Sequence, residues 1–407
     1  MLRLIFSLAL LTLPLAARPL FSPYLIEARL TRADVPTPVE GDFAFGERVR
    51  LDGDWLAVSE TRFDKSLGKL LSVHLFHREP GQGVLSSWVW RQSLDLGAFW
   101  TGALLPDQVA FDFNEGRLVV PNDFPGGVTF YSLDENGTWS VDETLTEVDG
   151  GPVYGSSLMC LRGPRLFVPD TTDGGRVRVL VQDAGTAEWS VEAVVPWPAL
   201  TNDSWNPPAM ATDGSRLILR ADRFTLDADD FPRVEIRSLA LGWQVEATLQ
   251  ESPRRVKRSY GASRYGESVA IDGDQAYVLS ASGVDFIGNP MGPSSTIAYR
   301  CLRGQWKEQT HALTPWTANT VVANHDLVGT LGYMTTFMGD YYGGDDRTFI
   351  FGSPLRYESP LPDGASSVDF GPQGRMAAST CVFDLFGNVS GQMAVVYRNP
   401  MVGGWWK

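Results

Sequence analysis

The chain has 407 residues, of which 43% are apolar and 20% charged, and its formal net charge is −14. This balance excludes a disordered chain, whose apolar content is too low to build a core. It also excludes a general nucleic-acid binder, which needs clustered Lys and Arg against phosphate, and it disfavours adsorption to anionic membranes.

The first residues read as an export signal spanning 1–17. Met1, Leu2 and Arg3 give a short basic start, Leu4 to Leu15 is an apolar run, and Ala16 and Ala17 are small residues suited to cleavage. A buried helix or a membrane anchor is the other reading, but the run falls short of the roughly 20 apolar residues needed to span a bilayer. No later stretch could cross a membrane as a helix. A secreted, periplasmic or cell-surface location follows.

Beyond the leader, short alternating apolar runs are separated by Gly, Asp, Asn and Pro, the pattern of strands and tight turns. One unit is clearest at the start: residues 45–60, then 69–78, then a strand opened by Trp88 and Trp90. It returns as residues 265–280, 295–303 and 305–313. The shared skeleton is an aromatic-Gly pair, an apolar strand, an Asp-Gly turn, a second apolar strand, a loop, a third strand, a turn, and a Trp near the start of a fourth. Asp-Gly between alternating apolar runs is a strong hairpin signal.

Weaker copies fill the interval and the remainder: 109–145, 154–195, 209–249, 321–361 and 366–406. Trp90, Trp139, Trp189, Trp243, Trp306, Tyr357 and Trp406 mark the fourth strands, at a spacing near the ~40–50 residues of propeller blades. The expected fold is all-β, a seven-bladed β-propeller of four-stranded antiparallel blades, occupying 18–407 as one domain. The last unit ends where its outer strand should begin. Tyr24 to Leu30 is the candidate for that strand, since its aromatic-to-Leu spacing matches Trp139 to Leu145 and Trp243 to Leu249. An N-terminal strand completing the last blade would close the ring and remove an open edge.

These units resemble the bacterial FG-GAP repeat family, and are similar in kind to the propeller head of integrin α subunits. Phe45-Gly46 with Leu51-Asp52-Gly53-Asp54 and Tyr265-Gly266 with Ile271-Asp272-Gly273-Asp274 carry the resemblance, and Tyr154-Gly155 is a partial match. The resemblance implies an exposed propeller used for binding. Its integrin-like members hold calcium in extended acidic hairpin loops. The turns here are short, and two carboxylates do not supply the six to eight oxygens calcium takes. No cofactor is expected; calcium stays open as an alternative, but the hairpin turns do not support it.

In a four-stranded meander, the loops between second and third strands share one face with the blade-to-blade loops. The long connections of this chain all fall in that set, and binding residues tend to sit on loops held by a rigid scaffold. Candidate ligand-binding residues are Trp100, Trp197, Trp205 and Trp316 from the blade-to-blade loops. Phe337, Asp340, Tyr341, Tyr342, Asp345 and Asp346 come from a within-blade loop. Rings beside carboxylates suit sugars, peptides or cationic groups, so a carbohydrate or protein ligand is expected, on a monomer. Packing of these rings onto the blades is the bland alternative.

Asp227, Asp229 and Asp230 are acidic without a recognised metal-ligand spacing, and Arg254 to Arg258 is the one basic cluster. No nucleophile elbow, zinc-type His spacing or phosphate loop is present. A glycoside hydrolase or lyase using loop carboxylates is the alternative function, with no pair singled out. Cys160, Cys301 and Cys381 lie in apolar runs and read as buried free thiols.

Overall fold

A computed structural model describes residues 25–36, 43–64, 68–79, 87–99, 111–122, 126–156, 158–170, 175–197, 209–220, 233–250, 264–281, 294–313, 318–324, 327–332, 347–352, 356–360, 365–371, 375–383 and 389–398. Its strands form seven four-stranded antiparallel sheets and one small two-stranded ladder.

Sheet I is Phe43–Asp52, Trp55–Asp64, Gly68–Glu79 and Ser87–Phe99. Sheet II is Asp112–Asn114, Arg117–Pro121, Val128–Leu133 and Trp139–Leu145. Sheet III is Cys160–Arg162, Arg165–Asp170, Arg176–Gln182 and Trp189–Pro196. Sheet IV is Met210–Thr212, Arg216–Arg220, Arg233–Ser238 and Gln244–Gln250. Sheet V is Arg264–Asp272, Gln275–Ala281, Ser295–Leu302 and Gln305–Leu313. Sheet VI, the weakest copy in sequence, is nonetheless complete: Ala318–Asn324, Leu327–Gly332, Arg347–Gly352 and Arg356–Pro360. Sheet VII takes Ala365–Gly371, Arg375–Phe383 and Val389–Arg398 from the end of the chain and Leu25–Leu30 from its beginning. The early strand runs antiparallel to the late one, from Leu25 opposite Arg398 to Leu30 opposite Ala394.

Sheets I to VI are meanders in sequence order, and the first strand of each packs beside the first strand of the next sheet. The first strand of sheet VII packs likewise beside that of sheet I. This is propeller-type architecture. Strand alternation supplies the cores, which lie between sheets. Leu30, Val35, Phe45, Val49, Phe76, Trp88, Ala394 and Val396 make one such core from sheets I and VII. Phe167, Val179, Leu217, Leu219 and Trp243 make another from sheets III and IV.

The repeat signature has three structural jobs. The glycine of the aromatic-Gly pair makes a bulge. Gly46 and Gly266 have φ of +88° and +79°, and strand pairing shifts register there, between Phe45 and Val49 and between Tyr265 and Ser268. A left-handed residue in a bulge favours glycine. The residue closing the first strand, or the hairpin behind it, reaches sideways. Asp52 accepts from the Gly116 N–H at 2.5 Å, Asn114 from the Gly163 N–H at 2.9 Å, and Asp213 from the Gly273 N–H at 3.0 Å. Each such bond fastens one sheet's hairpin to its neighbour's. The Trp near the start of the fourth strand also reaches back one sheet. Trp189, Trp243 and Trp306 donate their indole N–H groups to Glu143, Glu192 and Glu246 at 2.7, 3.0 and 3.0 Å.

The junction of sheets VII and I carries a charge cluster. The Glu27 carboxylate accepts from Arg78 at 3.0 Å and lies 3.6 Å from Arg375 Nε. Asp54 pairs with the same two arginines. Among the described residues no helix is long and apolar enough to cross a membrane.

Candidate functional site

The first strands of sheets VII, I, II and III bring together a cluster of charges, of which Asp112 is buried and Arg48, Arg50, Arg162 and Asp369 are partly buried. Alternation places Arg48 and Arg50 on the face opposite Val49 and Leu51, which pack in the core. Asp112 lies between the buried rings of Phe111 and Phe113, and Cys160 and Arg162 flank the buried Leu161. Asp369 precedes the buried Phe370.

Asp112 is the hub. One oxygen accepts from Arg50 Nε at 3.1 Å, and the other accepts from Arg162 Nη1 and from the Leu161 N–H, both at 2.8 Å. Burial opposes ionisation of this carboxyl, yet Arg162 and Arg50 hold it below the usual range. Asp369 accepts from the Leu51 N–H at 2.7 Å. Here burial wins and pushes its carboxyl up, against the opposing pull of Arg50. Arg48 lies over the Phe111 ring at 5.6 Å. Its guanidinium is pushed down to about 9, first by burial and then by the neighbouring Arg50 charge. Burial also pushes the Cys160 thiol up, next to Asp112. The cluster brings the guanidiniums of Arg48, Arg50 and Arg162 and the carboxylates of Asp112 and Asp369 together from the first strands of four sheets.

A second buried polar chain crosses sheet I. Trp90 donates to Ser93 Oγ at 3.1 Å, Ser93 Oγ meets His74 Nδ1 at 2.8 Å, and His74 Nε2 meets Glu60 Oε2 at 3.1 Å. Arg32, just after the N-terminal strand, pairs with the same Glu60 oxygen at 2.5 Å. The order Ser-His-Glu is that of an activated nucleophile. However, His74 stacks on Phe45 at 5.7 Å, and both His74 and Glu60 are buried. The chain fastens the segment after the N-terminal strand to sheet I.

The sequence-derived site residues fare differently. Trp197, expected on an exposed loop, is fully buried, which corrects that expectation. Its indole N–H donates to the Arg220 carbonyl at 2.6 Å, and its ring fills the core between sheets III and IV. The physical reason is that the fourth strand ends at Pro196, so Trp197 still folds over the sheet edge, with its own N–H bonded to the Gly175 carbonyl. Trp100, Trp205, Trp316, Phe337, Asp340, Tyr341, Tyr342, Asp345 and Asp346 lie outside the described residues, as do Asp227, Asp229, Asp230 and the basic cluster Arg254 to Arg258. Cys160 and Cys301 are free but only partly buried, less enclosed than expected. The side chain of Cys381 lies outside the description.

The carboxylates of the short turns are engaged in the fold: Asp52 with Gly116, Asp54 with Arg78, and Asp274 with Arg300. Among the described residues no three His, Cys, Asp or Glu side chains converge as a metal site would require. The Arg48, Arg50, Asp112, Arg162 and Asp369 cluster was missed by sequence reasoning. Its signal was present, as charges alternating with core residues in the innermost strands, most plainly Asp112 between two phenylalanines.

No family model matches the chain, and no curated protein matches it. Among solved structures, the acylaminoacyl peptidase of Pyrococcus horikoshii superposes with a TM-score of 0.46 at 8% identity over 83% of this chain. The alignment spans about half of that peptidase, 51% of its length. The WD40 propeller domain of Doa1 gives 0.45 at 10% identity, covering 94% of this chain and 99% of that one. Sqt1 of Saccharomyces cerevisiae gives 0.41 at 10% identity, covering 91% and 86%. The class of protein rests on the strand order and inter-sheet packing described above: an all-β chain of propeller-type sheets.

Proposed function

We propose that this protein is an exported binding scaffold: seven blades in a closed ring that recognise a carbohydrate or protein ligand through the long-loop face. The observation that carries this reading is the difference between the two faces. The hairpins joining first and second strands are short, and in sheets I to V they bond to one another from sheet to sheet, through Asp52, Asn114, Arg162 with the Thr212 carbonyl, and Asp213. Groups bonded in this way share a face. The connections between second and third strands leave from the opposite edge, and there they lengthen to 221–232, 282–294 and 333–346. A stiff scaffold with long connections confined to one side is built to present them.

Closure of the ring is supported by the pairing of Leu25–Leu30 with Val389–Arg398 and by the Glu27 charge cluster. Export is supported by the apolar leader of residues 1–17, and kinship with FG-GAP repeats by the two aromatic-Gly bulges.

The test uses the chain from residue 18 onward, presented to a glycan array and to extracellular protein fractions. Replacing residues 333–346 by a Gly-Ser segment of equal length is expected to abolish the binding found, whereas Asp134→Ala, on the hairpin side, leaves it intact. Equal binding by the loop replacement overturns the reading.

A further inference from the structure

We infer that the seat of the N-terminal strand also takes residues 25–35 of a second copy, so that in concentrated solution two chains complete each other's sheet VII. The partner is another molecule of this protein, bound by strand exchange.

Three observations support this. The first is that residues 25–35 form a unit. Leu25–Leu30 is a strand, and the turn after it is held by its own residues. The Thr31 N–H and hydroxyl donate to Asp34 Oδ2 at 2.7 and 3.1 Å, and the Asp34 N–H donates to the Thr31 carbonyl at 3.0 Å. The second is that the seat belongs to the rest of the chain. The strand pairs with Val389–Arg398, and Glu27 enters a cluster with Arg78, Arg375 and Asp54. Leu30 and Val35 join the core of sheets VII and I, and Arg32 pairs with Glu60. The same segment of a second copy offers the same groups to the same seat. Without a strand there, Val389–Arg398 would present an open edge, which is a template for another strand. The third is the link to sheet I. Residues 36–42 read Pro-Thr-Pro-Val-Glu-Gly-Asp. Val35 has φ −98° and ψ 119°, the extended backbone that a residue before proline prefers. Pro36 and Pro38 favour an extended link over a tight reversal, and seven extended residues reach about 24 Å. Such a link can lead into a neighbouring molecule.

Both forms make the same contacts at the seat, so the link and the concentration set the balance between them. A strand on a short link acts at a local concentration on the order of 1 mM. Dilute chains therefore use their own strand, and exchange appears when the chain refolds from concentrated solution. The Glu27 cluster sets two carboxylates against two guanidiniums, and this balance supplies the test.

The chain from residue 18 onward, refolded from urea at about 1 mM, is expected to give a dimer by light scattering that persists on dilution. Refolding in dilute solution is expected to give monomer. Glu27→Arg alone sets three guanidiniums against one carboxylate, and Arg375→Glu alone sets three carboxylates against one guanidinium. In an exchanged pair of these two variants, both seats again hold two of each. Refolded together, they are expected to yield a dimer containing one chain of each, in several-fold greater yield than either alone. Both substitutions in one chain restore the balance within that chain and show whether the reversed charges are tolerated. Where that chain does not fold, the unsubstituted protein decides. No dimer from the concentrated unsubstituted protein, no mixed dimer although the double variant folds, or a dimer formed equally well by each single variant alone overturns the inference.

Discussion

Glu27 and Arg375 face each other at 3.6 Å, one from near the start of the described chain and one from near its end, with side chains only 2% and 3% exposed. Arg78 of sheet I completes the contact at 3.0 Å from Glu27. The last sheet therefore depends on a strand contributed by the other terminus. Glu27→Ala would remove one of the two carboxylates, Glu27 and Asp54, that face the buried Arg375, at a cost of about 1–3 kcal/mol. Urea unfolding is expected to show that loss, and Glu27→Gln should recover only part of it.

The tryptophan-to-glutamate bonds between sheets make stability sensitive to acid. Hydrogen bonding from Arg165 comes first in holding the Glu192 carboxyl below its usual range; at Glu246 burial works against ionisation, but bonds from Arg216 and Trp306 prevail. A carboxylate with a lowered folded value adds stability above its unfolded value of about 4.3 and loses it as pH falls through the folded value. Unfolding free energy measured from pH 6 to pH 2 should therefore fall in the lower half of that range. Glu192→Gln is expected to flatten the slope and to cost roughly 1 kcal/mol at pH 7, a figure reduced by solvent screening.

The two kinds of signature glycine should respond differently to alanine. A Cβ on Gly266 would meet Val234 Cγ2 at 2.8 Å in addition to the strain of φ +79°, whereas one on Gly53 meets nothing within 4 Å. Gly53→Ala is expected to cost about 1 kcal/mol, and Gly266→Ala about 2–3 kcal/mol. Equal losses in thermal unfolding would contradict the bulge as a packing device.

Trp197 fills a core, so Trp197→Ala should act on stability. A loss of about 3–5 kcal/mol is expected by urea unfolding, the range for truncating a fully buried aromatic. Ligand binding of the protein that remains folded should be unchanged.

The raised Cys160 thiol should react slowly. With a thiol reagent at pH 7.5, its modification in the native protein is expected to be much slower than in urea, because the thiolate is the reacting species and burial disfavours it.

The seven sheets were legible in the sequence because each hairpin is a local event. Alternating apolar residues and a tight turn, Asp-Gly or Glu-Gly in sheets I, II, IV and V, specify it within a few dozen positions. Even Leu25–Leu30 announced itself by matching the fourth strands of other units. The charged cluster on the first strands was harder to see. Arg50, Asp112 and Arg162 belong to three different units, and nothing in the spacing of 50, 112 and 162 says that their side chains meet. Trp197 misled because a tryptophan just beyond a strand looks the same in sequence whether it folds over the sheet or points into solvent.

The sequence by itself determined the strand alternation, the turns and the number of repeating units, since these follow from backbone preference and local burial. Only the tertiary structure decided which carboxylate meets which arginine, that the signature Asp and Trp act between sheets, and that Trp197 lies inside. Those outcomes depend on the lateral register of neighbouring sheets, set by side-chain packing across the interfaces and not by any one segment.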